Sequence, residues 1–95
     1  MNVPDLITLV TDTIRPQLSD EYRLVLFGSW AKDSARPQSD IDIGILGNQP
    51  VPWSTMAAIR QSVEDLPTLR RIDVVDLQTV DTDFKKAVLA YATML

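Results

Sequence analysis

The sequence predicts a small domain that mixes helices with strands, and three observations carry that expectation. Apolar residues recur at helical spacing in 4–14, 54–66 and 81–95. The runs 23–27, 40–46 and 71–77 read instead as strands, the middle one with a clean period of two. The chain has 95 residues, 45% hydrophobic and 23% charged, which suits one unit spanning 1–95. A domain this small buries only about 60–65% of its unfolded surface, so a partner subunit would be unsurprising.

The first helix opens at Pro4, which suits the first helical position after a cap at Asn2 or Val3, with Asp5 in the first turn. Leu6, Leu9, Val10, Thr13 and Ile14 form its stripe, and Pro16 ends the pattern. Strand 23–27 is apolar, and 28–38 is a loop that opens with a helical turn. In strand 40–46, Ile41, Ile43 and Ile45 face the core while Asp40, Asp42 and Gly44 take the other face. A turn at 47–52 leads to a helix capped by Ser54, with Met56, Ile59, Val63 and Leu66 as its stripe. After strand 71–77, the final helix 81–95 places Phe84, Ala87, Val88, Tyr91, Ala92 and Leu95 on one arc. Leu89 falls outside it. That arc reads as core packing with one exposed leucine, in preference to a terminus docked on a partner.

What the chain lacks narrows the chemistry. It has no cysteine and no histidine, which excludes disulfides, thiol nucleophiles, imidazole bases and the usual zinc sites. Carboxylates, hydroxyls, Lys and Arg remain, and carboxylates suit hard cations such as Mg²⁺. A net charge of −4 disfavours broad nucleic-acid binding. No apolar run approaches the roughly 20 residues that span a bilayer, and the N-terminus lacks a basic leader, so a cytoplasmic location without membrane attachment is expected.

The stretch 28–42, GSWAKDSARPQSDID, concentrates the chemistry. Asp40 and Asp42 share a strand face beside a Gly-Ser turn. An isolated pair of this kind is usually a turn and a solvated aspartate. Here Asp42 lies between isoleucines, where an unpaired carboxylate is costly and calls for a cation or donors. Gly28 lets backbone approach a ligand closely, and N–H groups that open a helical turn attract anions, with the Ser29 hydroxyl as a further donor. Lys32 and Arg36 are basic residues available to a phosphate or nucleotide, although such loop residues are more often simply solvated. Asp73 and Asp76, three positions apart, point to opposite faces of their strand, and only one can join Asp40 and Asp42. Three carboxylates on one face would make a two-metal site, with ions about 3.5–4 Å apart.

Together these residues resemble the minimal nucleotidyltransferases of the DNA polymerase β-like superfamily. The shared signature is Gly28-Ser29, ten residues from Trp30 through Ser39, then Asp40-Ile41-Asp42, with a third aspartate on a later strand. The strand IDVVDL resembles the family's third-carboxylate strand and assigns that role to Asp73. The resemblance implies an α/β fold with a small mixed sheet flanked by helices. It also implies Mg²⁺-dependent transfer of AMP from ATP, with Asp40, Asp42 and Asp73 as metal-ligating catalytic residues and Gly28, Ser29 and Lys32 on the nucleotide. Members of this size look like antitoxins paired with a HEPN-type ribonuclease toxin, on which they adenylylate a tyrosine. Two other readings accompany it: an antitoxin that acts by binding alone with a vestigial site, and transfer to a small molecule. Members often carry Arg-Gly where this chain has Lys32-Asp33. Asp33 tolerates left-handed backbone but adds negative charge beside the triphosphate, and it is the one feature favouring a binding antitoxin.

Overall fold

Asn2 starts the first helix: its Oδ1 accepts the Asp5 N–H at 2.8 Å, and α1 runs over Val3–Ile14. The structure, a computed structural model, describes residues 1–32, 34–36 and 39–95. After α1 come β1 (Arg23–Phe27), β2 (Ile41–Leu46), α2 (Trp53–Glu64), β3 (Ile72–Asp76), α3 (Thr82–Tyr91) and a two-residue β4 (Thr93–Met94). The strands form one mixed sheet in the order β3-β2-β1-β4, with β2 and β3 parallel and the other pairs antiparallel. This is the small mixed sheet flanked by helices that the resemblance implies.

Side-chain alternation divides the sheet into two faces. On one, Leu24, Leu26, Ile41, Ile43, Ile45 and Val74 pack against Leu6, Val10 and Ile14 of α1 and Met56, Ile59 and Val63 of α2. On the other, Val25, Phe27 and Leu77 meet Val88 of α3 in a smaller core. Gly44 permits that second core. A Cβ there would stand 2.7 Å from Leu77 Cδ1 and 2.9 Å from Val25 Cγ2, so only a bare backbone lets both side chains close over β2. Because α3 covers only part of this face, the β2 and β3 side chains beyond it remain accessible. No helix is long and apolar enough to cross a membrane among the described residues.

Two sequence expectations need correction. The second helix is not capped by Ser54: Pro52, at φ −52° and ψ 140°, holds the cap position without a side-chain bond, and Trp53 opens the helix. A proline ring pre-sets the backbone just before the first turn, which leaves Ser54 inside it. The last helix stops at Tyr91 rather than running to Leu95. Ala92 turns extended, Thr93 and Met94 pair with Leu26 and Val25, and the Leu95 N–H reaches Leu24 O at 2.9 Å. The unpaired edge of β1 thus takes the backbone groups that a further helical turn would have used. Of the expected apolar arc only Val88 is buried, whereas Phe84, Ala87 and Tyr91 are exposed. Leu89 is exposed, as expected.

Candidate functional site

Strand register builds one row of side chains across the sheet. Phe27 of β1 pairs with Asp42 of β2, and Asp42 pairs with Asp73 of β3. Register partners present their side chains to the same face, so Asp42 and Asp73 stand side by side on the face opposite the isoleucines. Asp40 lies just before β2, two positions from Asp42, and is exposed. The Ile41 N–H bonded to Arg71 O at 3.0 Å fixes where the two strands begin to pair. Asp76 takes the other face. It is 5% exposed, and its Oδ2 accepts the Val51 N–H at 2.8 Å while its Oδ1 accepts Gln78 Nε2 at 2.6 Å. Asp76 is therefore the one of the pair that does not join Asp40 and Asp42, and it serves as a buried strut between β3 and the turn before α2.

Gly28 ends β1 with φ +73° and opens a single 3₁₀ turn, Gly28–Trp30. A Cβ at Gly28 would collide with the Asp42 carboxylate, so glycine is required by both backbone and contact. Ser29 follows at once and is half-buried. Lys32 turns elsewhere, its Nζ lying 5.0 Å from the centre of the Tyr91 ring. Arg36 is exposed. Asp33 lies outside the described residues.

Three anions in one corner set its electrostatics. Burial, then the charges of Asp73 and Asp40, push the Asp42 carboxyl above the ordinary carboxylate range, and Arg71 partly offsets this. Arg71 Nε donates to Asp73 Oδ1 at 3.1 Å, and Asp73, Asp40 and Asp42 together hold the guanidinium more firmly protonated. The donor set fits Mg²⁺: all oxygen, on one face, and with a charge excess that favours a cation. The fit is chemical rather than geometric. Among the described residues no three acidic side chains are gathered tightly enough to hold a metal ion, and Asp73 is turned toward Arg71.

Several contributing residues were not singled out from sequence. Trp30 Nε1 and Arg70 Nη1 both donate to Ser39 O, at 3.2 and 2.9 Å, and the Arg70 guanidinium lies over the Trp30 ring. This clamp holds the residue next to Asp40. For Arg71 the sequence does hold a signal, a cation two positions from a candidate ligand on the same strand. Phe27 and Phe84 meet edge to face with ring centres 6.4 Å apart. They line a cleft of about 740 Å³ with Asp42, Asp73, Val75 and Arg71 and, past the outer edge of β3, Arg60 and Glu64 of α2.

This sheet order, with its three helices, is that of a polymerase β-like nucleotidyltransferase. Residues 14–95 match the family described as "Polymerase beta, Nucleotidyltransferase", and the chain belongs to that family of enzymes. The Haemophilus influenzae protein named "Probable protein adenylyltransferase MntA" is 27% identical over 79 residues, covering 83% of this chain and 69% of that one. A solved structure described as a candidate minimal nucleotidyltransferase superposes with a TM-score of 0.73 at 22% identity, over 100% of this chain and 97% of that one. The structure of an MNT antitoxin with a tri-AMPylated HEPN toxin from Shewanella oneidensis matches with a TM-score of 0.59 at 21% identity, over 92% of this chain and 69% of that one.

Proposed function

We propose that this chain is a protein adenylyltransferase that moves AMP from ATP to a tyrosine hydroxyl of a HEPN-type ribonuclease toxin, and so acts as its antitoxin. The observation that carries the reading is the row Asp42–Asp73, with Asp40 beside it and the Gly28–Ser29 turn against its flank. The similarity to MntA and to the HEPN complex supports the choice of acceptor.

In this reading Asp40, Asp42 and Asp73 would hold Mg²⁺, as two ions, which when bound neutralises phosphate charge and polarises the α-phosphoryl group. The chain's own residues do the rest. Backbone N–H groups of the turn at Gly28 and Ser29 bind the β- and γ-phosphates, where a side chain at 28 would block approach. Trp30 and Arg70 keep Asp40 in place through Ser39. Asp73 accepts the tyrosine proton as the phenolic oxygen bonds to the α-phosphorus and the bond to pyrophosphate breaks. Lys32, which lies over the Tyr91 ring, is the basic side chain this reading gives to the nucleotide.

A second reading, an antitoxin that works by binding alone, has a specific observation behind it. Asp73 is paired with Arg71 rather than gathered with the other carboxylates. One experiment separates the two: the chain is incubated with Mg²⁺, α-labelled ATP and its HEPN-type partner. Label on the partner that disappears with Asp42→Asn is the expected result. A silent, unlabelled complex would leave only the binding reading.

A further inference from the structure

Strand order separates the two ends of the transfer. Gly28 closes β1 on one flank of Asp42, and Asp73 stands on β3 at the other, the outer edge of the sheet. An in-line displacement brings the incoming oxygen and the departing pyrophosphate to opposite sides of the phosphorus. With the phosphates on the Gly28–Ser29 turn, the acceptor must therefore arrive from the β3 side. The 740 Å³ cleft runs there.

The lining of that cleft is mixed, with Arg60, Glu64 and Arg71 among it, but the part that carries Phe27, Val75 and Phe84 is apolar. Val75 follows Asp73 by two residues on the same face of β3. Phe84, in the first turn of α3, is 42% exposed and stands nearly perpendicular to Phe27 at an interplanar angle of 88°. An exposed ring beside a carboxylate cluster offers a seat to a planar side chain with its polar atom at the far tip. Tyrosine meets that description, because its ring packs edge-on or offset against Phe84 while its hydroxyl reaches Asp73. A serine or threonine hydroxyl would leave the apolar wall in water.

We infer that Phe84 and Val75 form the acceptor subsite, which seats the ring of the partner's tyrosine for adenylylation; the inference rests on the adenylyl-transfer reading above. The phenolic oxygen gains the bond to the α-phosphorus, pyrophosphate leaves with the electron pair of the broken P–O bond, and the phenol proton passes to Asp73. Phe84 takes no part in bond-making and acts by positioning the ring.

The test titrates the HEPN-type acceptor protein at saturating Mg²⁺-ATP. Phe84→Ala should raise the half-saturating acceptor concentration about tenfold, with the KM for ATP unmoved and Phe84→Tyr restoring much of the loss. An unchanged acceptor dependence, or a KM for ATP that rises in step, overturns the subsite. If the wild-type chain transfers no label, the transfer reading fails and the subsite is judged by binding alone. N-acetyl-tyrosinamide is then titrated into the ¹⁵N-labelled chain. Amide shifts at Val75 and Phe84 that N-acetyl-serinamide does not produce support the subsite, and their absence overturns it.

Discussion

Asp42→Asn should make the protein more stable while it abolishes AMP transfer. Adjacent strands lie about 5 Å apart, and two like charges at that spacing would repel by about 0.8 kcal/mol in bulk water and about 3 kcal/mol at an effective dielectric of 20. Asp42 is only half-buried, and Arg71 offsets part of the field, so solvent screening places the relief near the lower figure, about 1 kcal/mol. For a domain of this length that is an increase in Tm of about 4–8 °C. The pH dependence supplies the sign. Asp42 holds its proton more tightly in the fold than in the unfolded chain, so its contribution is favourable below the ordinary carboxylate pKa and is lost as pH rises through the raised folded value. The asparagine variant escapes that loss. Thermal or urea denaturation of both proteins should therefore show a gap near pH 7 that closes at about pH 3. A variant less stable than wild type near neutrality, or a gap that persists in acid, would refute the electrostatic account of this corner.

Other substitutions test other parts of the structure. Gly28→Ala forces a side chain into the left-handed backbone and into the Asp42 carboxylate, and should cost about 1–3 kcal/mol in urea denaturation and weaken binding of an ATP analogue by calorimetry. Asp76→Asn removes an acceptor from a buried strut, with a loss of about 1–3 kcal/mol; transfer activity per folded molecule should survive, and its loss would overturn the assignment of strand faces. Ile43→Ala, in the centre of the larger core, should cost about 2–5 kcal/mol by the same denaturation assay. Arg70→Ala releases one of two donors from Ser39 O, and should increase hydrogen exchange of the Asp40 amide with little change in Tm.

Much of this architecture was legible from spacing. The alternation of Ile41, Ile43 and Ile45 gives β2 and its buried face directly, because a strand with one polar face leaves its register little freedom. The same parity put Asp73 and Asp76 on opposite faces, but only the pairing of Asp42 with Asp73 shows which one faces the cleft. The C-terminal segment departs from its sequence pattern for an identifiable reason. Its period fits a helix as far as Leu95, yet the vacant edge of β1 is a long-range feature that no local window contains. The Ser39 clamp is likewise invisible in the sequence, since Trp30 and Arg70 are 40 positions apart and nothing in either neighbourhood announces the other. Exposure of Phe84 also depends on where α3 stops covering the sheet, which only the packing decides.

Asp73 and Asp76 give β3 a safeguard during assembly. Displace that strand by one residue along β2, and Asp73 would be driven among the isoleucines and valines beneath α1 and α2, while Asp76 would abandon Val51 and Gln78. The first error strands a charge in hydrocarbon and the second leaves the buried Val51 N–H without its acceptor, so both penalise a mispaired sheet. Asp73, proposed to take part in the transfer, thus also proofreads the pairing that sets it beside Asp42, and a correctly closed sheet and an assembled site become a single event.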